Sequence, residues 1–239
     1  MTQELKKSIA VVTTFNSRLY KEYAHRFIDT YNWPFDLFVY TEDNSYGFDL
    51  FKEVPKAKEF VERNSHRTFK SFHFDAVRFS YKVYAYTDFI LNKNVNYDGL
   101  IYMDADSVFY KENSIKWMQE NVHKDNCISS YLGRDKMYSE CGFLYFNLNH
   151  NYTKAFAQEI QDMYNNDTVF NLKEYHDCEV YDTIRRKYWT EHNVLCHNIG
   201  DGHDGHVQAR SCLAELYDHT KGPRKRTGFS PERTVDTYR

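Results

Sequence analysis

Short apolar runs alternate along this chain with longer segments in which apolar residues recur every three or four positions. The short runs are rich in β-branched and aromatic residues, and this pattern is typical of strands. They predict five strands, at residues 8–14, 36–41, 99–103, 127–131 and 142–148. The first of them, SIAVVTT, has the apolar character of a buried strand.

The longer segments predict helices at residues 17–31, 74–91, 152–164 and 174–188. Strands that alternate with helices of this length indicate a mostly parallel central sheet flanked by helices. We find no internal repeat and no linker, so we expect one α/β domain over residues 1–239. From Asn198 onward Gly, His and Asp dominate and no clear period remains. This end is therefore expected to be loop, with a tail at residues 229–239.

Composition and charge exclude several classes of protein. The 239 residues carry 31 Lys and Arg against 34 Asp and Glu, a formal net charge of −3. This balance argues against a protein that mainly coats nucleic acid, and we expect no nucleic-acid partner. No stretch reaches the about 18 apolar residues that a membrane span needs, so we expect no transmembrane segment. The five Cys residues are scattered and form no CxxC pair, which favours reduced thiols and a cytoplasmic, intracellular location.

The clearest chemical signal is the sequence LIYMDAD at residues 100–106. An apolar strand ends there in two carboxylates, Asp104 and Asp106, which are separated by Ala105. Two carboxylates are costly to bury without partners, and hard divalent cations prefer oxygen ligands. Open α/β sheets bind their ligands beyond the carboxyl ends of the strands. A solvated turn is the alternative, but the apolar strand in front of the pair favours a metal site.

A second motif, HxxGxxK, begins at His219 and ends at Lys225. A strand that ends in YMDAD resembles the DxD motif of the GT-A glycosyltransferases. The HxxGxxK motif is similar to the signature of the retaining glycogenin and bacterial lipopolysaccharide galactosyltransferase type, although Arg226 and Thr227 stand here in place of its Pro-Trp. The resemblance follows the order of elements from residue 8 to 226 and implies a GT-A (Rossmann-like) single domain.

The resemblance also implies ligands. Asp104, Asp106 and His219 would hold Mn²⁺ or Mg²⁺, and the metal would bridge the diphosphate of a nucleotide sugar. Gly222 and Lys225 would contact that diphosphate. We further expect Lys221 or Arg224 to take up charge on the leaving group.

Three weaker matches follow from the same resemblance. Lys82, in the helix before the DxD strand, matches a basic residue near the nucleotide and the donor sugar, and Arg78 lies one turn earlier on the same face. We expect Lys82 and Lys225 to act on the donor rather than on folding, although a solvated lysine on an amphipathic helix is the alternative for Lys82. Glu140 opens a segment that would line the donor-sugar and acceptor side.

Asp177, at the start of a helix, would contact the sugar hydroxyls, or it is an acidic first-turn residue that the helix dipole favours. Asp177 and Glu140 are the candidate catalytic residues. Glu179 and Asp182 also remain possible bases.

The ends of the first two strands would form the nucleotide end of the site. Phe15 would pack on the base, backbone groups near Thr13 would read its edge, and Asn16 lies beside them. The segment 40–44, which begins with Tyr40 at the end of the second strand, would form a wall for base and ribose. These assignments rest on position alone.

A histidine-rich run near the C-terminal end offers a different metal site. His203, Asp204 and His206 are possible ligands, and together with the DxD motif they would make a hydrolase-like centre. A polar, glycine-rich loop is the alternative, since such a loop fixes no ligand geometry.

The sequence therefore predicts a metal-dependent hexosyltransferase that uses a nucleotide diphosphate sugar, specifically a UDP-sugar, and a glycan or other hydroxyl acceptor, with retention of configuration. A sugar-nucleotide nucleotidylyltransferase or metal-dependent hydrolase is the first alternative, but no glycine-rich phosphate loop follows the first strand. A noncatalytic module that binds glycans or nucleotide sugars is the second, suggested by the 21 Tyr residues. We also expect residues 213–228 to form a lid that orders over bound metal and nucleotide.

Overall fold

The computed structural model describes residues 8–67, 69 and 71–233. Its strands are β1 (Ser8–Thr14), β2 (Asp36–Thr41), β3 (Phe48–Asp49), β4 (Tyr97–Met103), β5 (Ser107–Phe109), β6 (Cys127–Leu132), β7 (Glu140–Asn147), β8 (Leu195–Asn198) and β9 (Tyr217–His219). Within the described chain, seven strands form one sheet in the order β3-β2-β1-β4-β7-β6-β8, and β5 pairs with β9. Only β7 runs antiparallel to its neighbours in the large sheet. The predicted mostly parallel sheet is confirmed.

Helices flank this sheet. They are α1 (Ser17–Leu19), α2 (His25–Thr30), α3 (Leu50–Glu53), α4 (Pro55–Asn64), α5 (Ala76–Asp88), α6 (Ile115–Asn121), α7 (Thr153–Asn165), α8 (Asp177–His192) and α9 (Arg224–Thr227). Their ends follow local signals: the Asp75 side chain caps α5, and Asn193 ends α8 in the left-handed conformation. The helix predicted at 17–31 is interrupted by a π-helical segment, Tyr20–Ala24. None of the helices in these ranges is both long and apolar enough to cross a bilayer.

The alternating side chains of β1 supply two cores. Ala10 and Val12 pack in a cluster with residues of α4, α5, α7 and α8, whereas Ile9 and Val11 pack in a cluster with residues of α2 and α6. Both faces of the sheet are therefore buried, which is why its strands read as continuous apolar runs.

The segment after Asn198 differs from the prediction of loop. Leu213, Leu216 and Tyr217 are buried in the second core cluster, and β9 pairs with β5. Much of this packing is made by two 3₁₀ segments, Val207–Arg210 and Cys212–Glu215, whose three-residue period escapes a search for α-helical or strand patterns.

The same packing includes part of the predicted lid and part of the predicted tail. Residues 213–220 belong to the folded core rather than to a free lid, and exposed positions concentrate at 222–227. Within the predicted tail, Ser230 is fully buried, and Arg233 donates a hydrogen bond of 2.8 Å to the carbonyl of Ala214. Residues 234–239 lie outside the described residues.

Candidate metal and donor site

The DxD motif lies where the chain leaves the central sheet. β4 ends at Met103, and the N–H of Asp104 donates a 3.0 Å hydrogen bond to the carbonyl of Gly142 on β7. Asp106 is buried, whereas Asp104 keeps 28% of its side chain exposed. One carboxylate is thus fixed inside the protein and the other borders solvent.

The C-terminal motif reaches the DxD motif through the β5–β9 pairing, in which Ser107 lies opposite His219. The N–H and the hydroxyl of Thr220 both donate to the carbonyl of Asp106, at 2.9 and 2.7 Å. Thr220 and Asp106 are 114 positions apart in the sequence. The fold therefore joins two distant motifs with backbone hydrogen bonds.

Asp104, Asp106 and His219 present ligand atoms that all lie within 4.8 Å of one another. The Nε2 atom of His219 is 3.1 Å from Asp106 Oδ1 and 3.7 Å from Asp104 Oδ2. This buried Nε2 is within ion-pair distance of both carboxylates but lacks the geometry of a regular hydrogen bond to any group of the described chain. Two carboxylates and an imidazole nitrogen that faces them fit a divalent cation such as Mn²⁺ or Mg²⁺.

Two features of β7 fix the ring of His219. Glu140 Oε1 accepts a hydrogen bond from Nδ1 at 2.8 Å, so that Nε2 faces the two aspartates. A carboxylate that holds the outer nitrogen of a histidine is a common support for metal ligands. A Cβ atom at Gly142 would lie 2.3 Å from Cε1 of His219. The glycine is therefore what makes room for the ring.

The predicted catalytic role of Glu140 is corrected by its surroundings. Its carboxylate is buried, and its second oxygen accepts a 2.6 Å hydrogen bond from Lys221 Nζ. Burial would raise the pKa of Glu140, but His219 and Lys221 outweigh it and hold the pKa well below its usual range. Glu140 is thus an ionised positioning residue, buried and paired through both of its oxygens.

Lys82 and Asp177 lie behind Asp104. Lys82 Nζ is 3.0 Å from Asp104 Oδ1 and 2.7 Å from Asp177 Oδ2. Burial and the adjacent Cys178 raise the pKa of Asp177 to about 7, although Lys82 opposes this shift. Asp177 is buried and does not line the cavity, so its predicted catalytic role is also corrected: it holds Lys82. Lys82 belongs to a buried ion-pair network, so we now expect it to act on folding as well.

Acidic and basic groups balance around this centre. Burial would raise the pKa of Asp106, but His219 and Lys225 keep it far below its usual range. Burial would lower the pKa of His219, but Asp106 and Glu140 raise it to about 10. Lys225 Nζ lies 3.0 Å from Asp106 Oδ2 and 4.5 Å from the ring centre of Tyr23. A protonated imidazole and an ammonium thus neutralise the deepest carboxylate.

A cavity of about 660 Å³ opens beside the carboxylates. Its wall includes eight residues predicted for the site: Phe15, Asn16, Arg78, Lys82, Asp104, Ala105, Asp106 and Lys225. Arg78 is exposed, and Phe15 packs against Tyr20 and Tyr46 with ring centres 5.7 and 5.8 Å away. The DxD motif, three predicted basic residues and the end of β1 therefore share one cavity.

Other predicted contacts do not reach this wall. Tyr40 is fully buried and donates a 2.9 Å hydrogen bond to Asp88, so it is a core residue rather than a wall for base and ribose. Thr13 is also fully buried. Arg224 forms an ion pair with Glu232. Lys221 and Gly222, which follow His219 in the chain, also lie off the wall, and Lys221 is held by Glu140.

Sequence reasoning did not single out several residues of the cavity wall, although Thr14 and Glu42 lie within the ranges 13–16 and 40–44 that it assigned to the nucleotide. Tyr102 donates a 2.8 Å hydrogen bond to Asp104 Oδ1, and it lies two positions earlier on the same strand, where the period of two places it on the same face. Thr14 has a buried hydroxyl without a hydrogen-bond partner in the described structure. Glu42 accepts a 2.6 Å hydrogen bond from Asn16, and Tyr23 lies under Lys225. Tyr102, like the two strand-end residues Thr14 and Glu42, had a signal in the sequence, whereas Tyr23 had none.

The histidine-rich run does not form a metal centre in the described chain. The side chain of His203 accepts from the N–H of Gly205, and Asp204 accepts from the N–H of Lys136. His206 is buried, with its ring 6.0 Å from the ring of His219 and its Nε2 3.2 Å from the hydroxyl of Ser230. The run is a polar loop whose last histidine packs behind His219.

Comparison with known proteins gives no family model and no curated protein that matches this chain. Among solved structures, the apo form of mouse xyloside xylosyltransferase 1 has a TM-score of 0.48 at 12% identity, covering 81% of this chain and 85% of that one. A glycosyltransferase involved in the glycosylation of the major capsid of PBCV-1 has a TM-score of 0.45 at 9% identity, covering 92% and 98%.

A third structure, the apo form of the glycosyltransferase GlyE of Streptococcus pneumoniae, has a TM-score of 0.45 at 13% identity and covers 75% of this chain. The chain spans 43% of that protein's length. At such identities and TM-scores, an assignment of function must rest on the residues of the site.

Proposed function

We propose that this protein is a metal-dependent glycosyltransferase that moves a hexose from a nucleotide diphosphate sugar, specifically a UDP-sugar, to a hydroxyl of a glycan or another acceptor. One observation carries the proposal. The DxD carboxylates and the histidine of HxxGxxK converge within 4.8 Å at the edge of a cavity that is also lined by basic residues. The sequence resemblance rests on these same two motifs, and their meeting in space supports it.

Asp104, Asp106 and His219 would hold Mn²⁺ or Mg²⁺. When bound, such a cation neutralises charge on a departing diphosphate. Arg78 and Lys225 border the same cavity and would donate charge-assisted hydrogen bonds to phosphate oxygens. This combination suits a reaction in which the main requirement is stabilisation of an anionic leaving group.

The end of β1 would receive the rest of the nucleotide. Phe15 lies at the cavity wall but is only 1% exposed, and the buried hydroxyl of Thr14 lacks a hydrogen-bond partner among the described residues. The neighbouring Asn16 and Glu42 add a polar edge. A hydroxyl without a partner beside a polar edge suits a planar base that carries its own hydrogen-bonding groups.

We also propose that the reaction retains the anomeric configuration. An inverting enzyme needs a carboxylate base close to the acceptor hydroxyl. Glu140 and Asp177 are both buried and paired with basic side chains. The other two candidates from the sequence, Glu179 and Asp182, are also buried, and none of the four lines the cavity. Because these carboxylates are not free to act as a base, we favour a mechanism in which the leaving diphosphate takes the proton of the acceptor hydroxyl.

The test is a panel of nucleotide sugars incubated with Mn²⁺ and simple glycosides, with release of nucleoside diphosphate as the readout. Asp106→Asn should abolish release, whereas Asp201→Asn, which breaks an exposed ion pair with Arg210, should not. NMR of the product reports the anomeric configuration. Release of pyrophosphate or nucleoside monophosphate would instead indicate the nucleotidylyltransferase or hydrolase. Donor binding without turnover of any donor would indicate a binding module.

A further inference from the structure

A second cluster of ligating side chains lies outside the DxD centre. His73 belongs to the 3₁₀ segment Phe72–Phe74, Glu174 to the loop before α8, and His176 is the N-cap residue of α8. Glu174 Oε2 lies 2.9 Å from Nδ1 of His73 and 2.7 Å from Nε2 of His176. All three ligand atoms are within 4.8 Å of one another. Two segments that are about 100 residues apart in the sequence therefore meet at this cluster, one with His73 and the other with Glu174 and His176.

Hydrogen bonds donated by backbone N–H groups hold the segments of the cluster together. The N–H of Tyr175 donates to the carbonyl of His73 at 2.7 Å. The N–H of Glu174 donates to Glu179 Oε2 at 2.6 Å, which ties the loop to α8. The ring of His176 also packs against Tyr138, with ring centres 5.1 Å apart. The cluster is therefore built into the fold before any ligand arrives.

Exposure increases from one side of the cluster to the other. The side chain of His176 is 7% exposed, that of Glu174 23% and that of His73 39%. Three protein ligands with one open side are the arrangement in which zinc keeps a water molecule as its fourth ligand. Imidazole nitrogens are ligands that zinc prefers, and a carboxylate commonly completes the set.

A third group of potential ligands provides a contrast. Cys141, Asp177 and Cys178 also approach within 4.8 Å. There, however, the ammonium of Lys82 already lies 2.7 Å from the carboxylate of Asp177. Burial would raise the pKa of Glu174. The groups that lower this pKa are the two histidines of the cluster themselves. The His73 cluster thus has no such ammonium paired with its carboxylate in the described structure.

We propose that His73, Glu174 and His176 form a zinc site, distinct from the DxD centre, with His73 Nδ1, His176 Nε2 and a Glu174 oxygen as ligands. Binding through Nε2 moves the proton of His176 to Nδ1, which then gives up a hydrogen bond of 3.4 Å from the N–H of Glu179. That bond is long, so the exchange is a small perturbation. The ion fastens the 3₁₀ segment to the first turn of α8, next to Asp177 and Lys82.

The experiment titrates ZnCl₂ into metal-stripped, fully reduced protein by calorimetry. The variants are His73→Gln and Glu174→Gln, and the control is His66→Gln, which changes an exposed histidine in the turn before the cluster. We expect the wild type and the control to bind one more zinc equivalent than the two cluster variants, or to bind that equivalent at least about tenfold more tightly. Circular dichroism establishes that each variant is folded.

X-ray absorption of the zinc-loaded wild type identifies the ligands. A shell of nitrogen and oxygen at about 2.0–2.2 Å, with the signature of two imidazoles that is lost in His73→Gln, supports the site. Equal zinc stoichiometry and affinity in all four proteins would refute it. Sulfur neighbours at about 2.3 Å in place of the imidazole shell would also refute it, because they would assign the zinc to Cys141 and Cys178.

Discussion

Replacing Gly142 by Ala perturbs the proposed metal ligand through a single methyl group. The new Cβ would lie 2.3 Å from Cε1 and 2.7 Å from Nδ1 of His219. Carbon atoms in contact prefer about 3.5–4.0 Å, so the ring has to move by more than about 1 Å. Gly142 is in β7, between β4 and β6 in the sheet, so the backbone has little freedom to yield. The ring therefore leaves the position in which it faces Asp106.

The size of the effect follows from that displacement. A shift of this size breaks the 2.8 Å hydrogen bond between His219 and Glu140. Loss of an outer partner of a metal ligand typically costs about 10–100-fold in metal affinity, and here the ligand itself is displaced. We therefore expect Mn²⁺ affinity to fall by at least about 100-fold, or about 2.7 kcal/mol. Overpacking of a tight core should also lower the free energy of unfolding by about 1–3 kcal/mol.

The chain offers a matched control in Gly99→Ala. Gly99 lies in β4, and a Cβ there would come 2.6 Å from the ring of Tyr145. Both substitutions overpack the same sheet, but only Gly142→Ala touches His219. Titration calorimetry with Mn²⁺ and thermal unfolding should show two similarly destabilised proteins, of which only Gly142→Ala loses metal affinity. Equal Mn²⁺ affinity in the two variants would refute the assignment of His219 as a ligand.

Three further predictions concern the same centre. Asp106→Asn should weaken Mn²⁺ binding by more than about 100-fold in calorimetry, because even outer partners cost about 10–100-fold; unchanged binding would exclude this carboxylate as a ligand. Lys82→Met leaves two carboxylates without their shared cation and should cost about 3 kcal/mol, or roughly 6–12 °C in Tm; an unchanged Tm by calorimetry would contradict the buried network. The pKa of His219, about 10, predicts that Mn²⁺ affinity rises with pH by about tenfold per unit between pH 7 and 9, since binding displaces the proton. The raised pKa also means that its contribution to metal-free stability is complete below about 6.5 and is lost as pH rises through about 10. In Glu140→Gln the rise in affinity should level off at lower pH; a flat profile in the wild type would show that no proton is displaced.

The central sheet and the DxD motif were predictable because their signals are local. An apolar strand that ends in Asp104 and Asp106 is visible in seven consecutive residues, and the alternation of strands and helices determines at which edge of the sheet they emerge. His219 was accessible only through the resemblance, since nothing local marks it as a partner of a motif over 100 positions away. The β5–β9 pairing that joins them consists of three-residue strands, too short to stand out from the surrounding sequence.

The roles of Glu140, Asp177 and Tyr40 were not predictable because burial is a property of the assembled fold. Each is polar and lies at or close to the end of a strand or the start of a helix, where a substrate contact is a reasonable expectation. In the fold, Glu140 and Asp177 are covered by basic side chains, and Tyr40 is covered by the first core. The sequence identified residues that lie near the candidate site, but it did not indicate which of them face the cavity.

The balance of charge around Asp106 explains why so acidic a centre folds. A buried carboxylate is tolerated when opposite charge lies beside it, and Asp106 has His219 Nε2 at 3.1 Å and Lys225 Nζ at 3.0 Å. Lys225 reaches it from α9, which is anchored in turn by a hydrogen bond from the guanidinium of Arg26 to the Lys225 carbonyl. A divalent cation that binds Asp106 competes with both neighbours: the imidazole must give up its proton, and the ammonium loses its counter-charge. In the proposed reaction, the ammonium of Lys225 would then lie free at the cavity wall. A bound diphosphate would supply it with a new counter-charge.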